Sequence, residues 1–250
     1  DASRTNNEFQ SWISKPRLSA AGQSVQVWHS IPPATSERIA QLYIPGPTFG
    51  AACISNGSET QVLGVTRHLR MPRRLGVTRF QYCGSVGPLP LSDTLNAAIS
   101  TMASEIASEC GIVGLFGLDL KIQNNQIWLL EINPRFTASM DLLRDGTGEN
   151  LIQQHIDACC NKPLIPIQHS KKLSAIETRA ILFAKSPTRF TPTCNQWDFI
   201  ADIPAHNNTL EIGSPICSIY GRGKTASESV KHAMYNLNRL ESTLTVEDVE

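Results

Sequence analysis

Two apolar runs, residues 115–122 and 126–132, stand on either side of Asn124-Asn125, and this arrangement constrains the fold more than any other feature of the chain. Asparagine tolerates the left-handed backbone of a tight turn, so the two runs read as strands of a hairpin. The second run leads into Leu129-Leu130-Glu131-Ile132-Asn133-Pro134-Arg135. Alternate strand residues share a face, which sets Glu131 and Asn133 together and sends Leu130 and Ile132 into the opposite, apolar face. A carboxylate and an amide oxygen side by side suit a hard divalent cation. Pro134 cannot donate to a ladder, so the strand stops there and presents Arg135, a permanent cation suited to phosphate.

Asp119 on the first strand is the natural third oxygen ligand, and register decides whether it can serve. A two-residue loop of Asn124-Asn125 pairs Gln123 with Gln126 and sets Asp119 opposite Leu130, facing away from Glu131. A three-residue loop of Asn124-Asn125-Gln126, or one bulge, sets Asp119 opposite Glu131. The apolar pattern favours this odd register, with Leu118 and Leu120 sharing the core face with Leu130 and Ile132. The even register would bury an unpaired carboxylate among leucines.

Upstream, residues 12–15 and 25–28 read as short strands joined by the small, flexible segment 16–24. Residues 36–39 are ambiguous, 41–44 are extended, and Pro45-Gly46 marks a turn. Residues 49–54 and 61–67 flank Ser55-Asn56-Gly57-Ser58, whose Asn-Gly pair signals a hairpin. The basic stretch from Arg67 to Arg79 reads as a mobile surface loop. A helix over 92–110, closed by Gly111, follows from the spacing of Leu95, Ile99, Met102, Ala103 and Ile106. Further on, 151–160 reads as helix, while 177–184, 200–203 and 215–219 read as strands. Thr225-Ala226-Ser227-Glu228 has the form of a capping box opening a last amphipathic helix. The mixture lacks regular βαβ alternation and indicates an α+β architecture.

Lys plus Arg equals Asp plus Glu at 22 each, so no global field draws in nucleic acid or an anionic membrane. Small-molecule partners are the expectation. The seven cysteines form no Cys-x-x-Cys pair and read as reduced thiols. No apolar run reaches the roughly 18 residues of a membrane span, and no charged leader precedes an apolar segment, so a soluble, cytoplasmic protein is expected.

The motif Leu130-Glu131-Ile132-Asn133-Pro134-Arg135, with Asp119 before it, resembles the metal strand of the ATP-grasp superfamily of ligases. Trp12-Ile13-Ser14-Lys15-Pro16, then Ser19, Gly22 and the strand over 25–28, is similar to that family's lysine and flexible phosphate-covering loop. Gln41-Leu42-Tyr43-Ile44 stands in the place of the adenine-contacting hinge. Ile200-Ala201-Asp202-Ile203-Pro204 and Gly213-Ser214-Pro215-Ile216-Cys217 resemble the closing sheet of the biotin carboxylase and carbamoyl phosphate synthetase branch. Residues 131–139 look nearest to amino acid ligases such as tyramine:glutamate ligase. The chain departs from the family in having Ala20-Ala21-Gly22 where glycines abound and Gln41 where the hinge often has Glu.

This resemblance implies an ATP-grasp fold, two α+β subdomains with mostly antiparallel sheets enclosing a nucleotide cleft. Residues 1–75 would form the small subdomain and 76–250 the large one, with the family's N-terminal domain of roughly one hundred residues absent. The implied reaction is ATP-dependent joining of a carboxylate to an amine through an acylphosphate. Asp119, Glu131 and Asn133 would hold Mg2+, or Mn2+. Lys15, Ser19, Gly22, Gln41, Leu42 and Ile44 would bind ATP, and Arg135 and Arg67 would clamp the transferring phosphoryl group. His68 and His155 are read as structural or exposed. The alternative is a nucleotide-binding module that does no catalysis by itself and needs an upstream domain or partner chain.

Overall fold

The computed structural model of the 250-residue chain describes residues 11–18, 22, 24–33, 35–70, 72–143, 150–166, 175–190, 197–205 and 208–242. Three short strands open it: β1 (Trp12–Pro16), β2 (Gln26–Trp28) and β3 (Arg38–Leu42), forming a separate antiparallel sheet in the order β2-β1-β3. Arg38 ties this sheet together, donating from Nε to Ser14 Oγ at 2.8 Å and from Nη2 to the carbonyls of Ser14 and Ser24.

The following elements are β4 (Thr48–Ser55), β5 (Thr60–His68), a single helical turn α1 (Pro72–Leu75), β6 (Gly84–Gly87), helix α2 (Asp93–Cys110), and the hairpin strands β7 (Gly114–Gln123) and β8 (Gln126–Asn133). A 3-10 helix (Ala138–Leu143), α3 (Leu151–Cys159), β9 (Ile176–Phe183), β10 (Thr188–Phe190), β11 (Ile200–Ala201), β12 (Asn208–Leu210), β13 (Pro215–Gly223) and α4 (Ala226–Glu241) complete the described chain. Eight strands pair antiparallel in one sheet, ordered β11-β13-β9-β6-β5-β4-β7-β8, while β10 and β12 pair separately. By pairing, β4 and β5 belong to the large sheet, so the small sheet ends at Leu42 and no break in pairing falls at residue 75.

Local chemistry places the helices. Ser92 caps α2 by accepting from Leu95 N, and Gly111 closes it in the left-handed region at φ 61°. Thr225 caps α4 by accepting from Glu228 N at 3.2 Å, while the Glu228 carboxylate accepts from Lys224 N, one residue before the box the sequence suggests. On α2, Ile99, Ala103 and Ala107 recur at helical spacing and bury against Ala51, Cys53, Val65, Phe116, Leu118 and Leu120 on one face of the sheet. α4 covers β9 and β13 through Leu237 and Leu240. The opposite face of the β4–β7 region carries Ala52, Ile54 and Leu115, packed under Met140, Leu143 and Leu151.

The basic stretch read from the sequence as a surface loop is folded onto the core instead. Leu75 in α1 is fully buried, and Arg74 makes an ion pair with Glu241 at 2.6 Å. Apolar residues that each stand alone among arginines, as Leu75 does in α1, give too weak a periodic signal to reveal this anchoring. β6 was likewise invisible, because Gly84-Ser85-Val86-Gly87 has two glycines in four residues and little strand propensity.

These contacts set an energetic contrast that urea unfolding can measure. Ile99→Ala, which empties a fully buried site under α2, is expected to cost about 3 kcal/mol. Thr225→Ala, which removes only a cap, should cost about 1 kcal/mol.

Candidate functional site

The loop of the β7–β8 hairpin is the two-residue kind: Gln123 pairs with Gln126, and Asn124 and Asn125 both lie at positive φ, 50° and 61°. That start gives the even register, and a bulge then changes it. Leu120 pairs with Leu129 and Asp119 with Glu131, leaving Leu130 as the extra residue. Asp119 and Glu131 are therefore directly opposite, and Asn133 follows on the same face, paired with Gly117. The bulge corrects one detail of the sequence reading: Leu129 takes the place opposite Leu120, and Leu130 lines the cleft.

These residues form one wall of a cleft of about 690 Å³. Lys15 of β1, Gly22, and Gln41, Leu42 and Ile44 at the end of β3 line it from the small sheet. Arg135 lines it beyond the hairpin, donating to Asn133 Oδ1 at 3.2 Å and to the Phe136 carbonyl at 3.1 Å. Ser19 lies outside the described residues.

Arg67 is not among the lining residues. It pairs with Phe49 and Val86, on the face that α2 covers, whereas Thr66 pairs with Gly50 and hence shares the Asp119 face. Strand alternation thus gives the cleft position to His68 instead. Its Nε2 is 3.7 Å from Asp119 Oδ1, and its ring meets Tyr82 edge-on at 5.0 Å. Tyr82 Oη in turn is 3.0 Å from Ser85 Oγ. His155, by contrast, is structural, its Nδ1 accepting from Leu115 N at 3.0 Å.

Electrostatics mark the same spot. Burial pushes the Asp119 carboxyl up to about 7, and the Glu131 charge adds to this, while Arg135 and Lys15 pull the other way. Burial also drives His68 down to about 4, assisted by the positive charge of Lys121, so its ring is neutral near pH 7. Two crowded carboxylates and a buried amide oxygen fit a divalent cation, whose charge would relieve the repulsion that raises Asp119. Gly50, paired with Asp119, keeps the floor open, since a Cβ there would sit 3.3–3.4 Å from Thr66 Oγ1, His68 Nε2 and Ser139 Oγ.

Behind this wall, Arg179 on β9 donates from Nη1 to the Ala138 carbonyl at 3.0 Å and Asp141 at 2.6 Å, from Nη2 to Asp202 at 2.7 Å, and from Nε to Ser218 Oγ at 2.9 Å. It thereby fixes the 3-10 helix whose first residues, Ala138 and Ser139, line the cleft. Across the opening, Gly22 at φ +76° comes so close to the backbone of Phe80 that an added Cβ would collide with the Phe80 carbonyl. Phe80 and Gln81 thus form the wall that Gly22 meets.

Residues 1–139, more than half of the chain, match the ATP-grasp domain family. The chain belongs to the ATP-grasp family. Over 184 residues it is 26% identical to an uncharacterized protein of Methanocaldococcus jannaschii, covering 74% of this chain and 42% of that protein. The carbamoyl phosphate synthase large chain of Neisseria gonorrhoeae is 26% identical over 99 residues, 40% of this chain and 9% of that one. This ATP-grasp chain therefore spans well under two thirds of either curated relative.

Among solved structures, N5-carboxyaminoimidazole ribonucleotide synthetase of Thermotoga maritima superposes with a TM-score of 0.67 at 13% identity, covering 97% of this chain and 64% of that one. Phosphoribosylamine–glycine ligase of the same organism gives 0.66 at 16% identity, covering 91% and 65%. At such identities the likeness establishes a shared ATP-grasp fold. Among the described residues, no helix is long and apolar enough to cross a membrane.

Several lining residues of this ATP-grasp cleft carry no site role in the sequence analysis: Arg70, Arg79, Tyr82, Lys121, Ser139 and His68, the last read there as structural or exposed. Lys121 was the findable one, because it stands two residues from Asp119 and so on the same strand face. His68 became legible only once the neighbouring strand β6 had fixed the register.

A carboxyl raised on folding from 3.8 to about 7 costs stability when ionised, so the penalty is absent below 3.8, grows as pH rises, and is complete above about 7. Asp119→Asn should therefore melt a few degrees higher than the parent near pH 8 in metal-free buffer and show no such advantage near pH 3.5. Added Mg2+ should raise the melting temperature of the parent more than that of the variant.

Proposed function

We propose that this chain carries the nucleotide cleft and chemical centre of an ATP- and Mg2+-dependent ligase that joins a carboxylate to an amine. The observation that carries the reading is the bulge at Leu130, which brings Asp119, Glu131 and Asn133 onto one face of a cleft also lined by Lys15 and Arg135. Family membership and the fold support it. The acceptor is proposed to be an amino acid or small amine.

In the proposed reaction a substrate carboxylate oxygen attacks the γ-phosphorus of ATP, the bond to the β–γ bridging oxygen breaks, and ADP leaves. The resulting acylphosphate is attacked at carbon by the amine, which loses a proton as inorganic phosphate departs. Charge accumulates on the transferring phosphoryl oxygens, so positioned cations are the main requirement of the site. Lys15 supplies one from the small sheet. Arg135, held by Asn133 and the Phe136 carbonyl, supplies a planar fork suited to phosphate and acylphosphate oxygens. Mg2+, or Mn2+, when held by Asp119, Glu131 and Asn133, supplies further neutralisation of phosphate charge. The hinge residues Gln41, Leu42 and Ile44 hold the base, and Gly22 offers its backbone to the phosphates. β1–β3 would move as a lid over the large sheet.

A second reading has support in the 42% and 9% of the curated relatives that the chain spans. In it the chain is the nucleotide-binding part of a larger assembly, and an upstream domain or partner chain completes the substrate site. Incubation with ATP, Mg2+ and a mixture of carboxylic acids and amino acids separates the two. ADP release that depends on both added substrates supports the ligase, and nucleotide binding without release supports the module.

Given turnover, Glu131→Gln should lower ADP formation at least 100-fold without changing the far-UV circular dichroism, and activity near the parental level would remove Glu131 from the site. Arg135→Lys, which keeps charge but loses the fork, should lower it about tenfold, a loss of ~1.4 kcal/mol. Arg67→Ala should stay within about twofold of the parent, because that side chain leaves the sheet on the α2 face.

A further inference from the structure

The end of the cleft nearest the hinge has a different chemistry from the carboxylate hairpin. Lys121 leaves the cleft face of β7 two residues beyond Asp119 and is only 9% exposed. Its ammonium donates to the Gly46 carbonyl at 2.5 Å, in the turn that follows the hinge. One hydrogen bond leaves two further N–H donors on that nitrogen. Arg70 lines the same cleft, and Arg79 lies over the rings of Tyr43 and Phe80, at 5.7 and 5.3 Å from their centroids. Among the described residues, no carboxylate pairs with Lys121, Arg70 or Arg79.

A lysine buried for packing alone would want a carboxylate, and one neutral carbonyl is a modest return for its lost hydration. Its remaining N–H donors face the cleft, where a bound ligand can supply acceptors in place of water. Lysine and arginine are donors only, and the Gln41 amide can also turn its NH2 group inward. A purine shows its six-position here in one of two forms. Adenine offers an amino donor beside the N7 acceptor, whereas hypoxanthine and guanine offer two acceptors, O6 and N7, which basic side chains read well.

We propose that Lys121, held at the hinge by Gly46, sets the base preference of this cleft, so that 6-oxopurine nucleotides bind at least as tightly as adenine nucleotides. The inference rests on the nucleotide-cleft reading above and goes beyond it by naming which nucleotides are taken. Lys121 donates to O6 and N7 of the base, and Arg70 supplies the neighbouring positive field. A 6-amino group placed there meets a donor and gains nothing from it.

Isothermal titration calorimetry of the full chain with ADP, GDP and IDP in Mg2+ tests the proposal. The parent should bind IDP and GDP with affinity equal to or above that for ADP. Lys121→Met, of similar volume but without donors, should lower the IDP-to-ADP affinity ratio at least tenfold, as loss of a charged hydrogen bond implies. Lys121→Arg, which keeps donors, should retain most of the ratio, and melting curves of both variants report on folding independently. ADP binding more than tenfold tighter than IDP, with the ratio unmoved in Lys121→Met, would reduce Lys121 to a brace for the hinge turn and leave the nucleotide cleft standing. Failure of all three nucleotides to bind would overturn the cleft reading and this inference together.

Discussion

Side chains alternate along a strand, so one unpaired residue in β8 decides which groups can meet across the β7–β8 hairpin. Leu130 is that residue. Without it Asp119 would face a leucine, and the carboxylate facing Glu131 would be lost to the site. With it, the apolar residues behind keep their own partners, since Leu118 still pairs with Ile132 and Leu120 with Leu129. A single backbone irregularity therefore reconciles a packed leucine face under α2 with a charged face open to the cleft. Removing the irregularity by a register slip would exchange the two faces and bury charge.

Around that point the large sheet acts as a rigid floor with its groups presented in rows. Glu131, Asp119, Gly50 and Thr66 lie in one row across β8, β7, β4 and β5. The glycine in that row leaves room where a side chain would crowd Thr66, His68 and Ser139. Arg179 extends the organisation behind the cleft, joining β9, β13 and the 3-10 helix through two carboxylates, a serine and a carbonyl. Such a network holds Ala138 and Ser139 at a fixed height above the sheet. The small sheet pairs only within itself, and beyond it Gly22 packs closely against the backbone of Phe80 across the cleft.

Much of this was legible in the residues alone. The hairpin, its positive-φ asparagines, the long helix closed by Gly111 and the cleft side of Glu131 and Asn133 follow from period-two and helical spacing with local turn chemistry. The bulge was foreseen as one of two ways to reach the odd register, and the turn residues could not choose between them. That His68 and not Arg67 lines the cleft could not be read from the residues, because the face of β5 depends on long-range pairing with β4 and β6. A one-residue ambiguity in a strand inverts the assignment completely. Lys121 escaped notice for a different reason: a lysine reads as a solvated surface group until its burial is known.

β8 is the last strand of the large sheet among the described residues. A terminal strand carries a row of unpaired backbone groups that invites another chain to add on, and soluble folds blunt such edges with bulges, charge and proline. This edge has all three in succession: the bulge at Leu130, the Glu131 charge and Pro134, where pairing stops. The geometry that gathers carboxylate and amide oxygens at the cleft also makes the strand a poor template for intermolecular pairing. Sequence changes that straighten β8 would then act twice, scattering those oxygens and opening a route to aggregation that the present edge keeps shut.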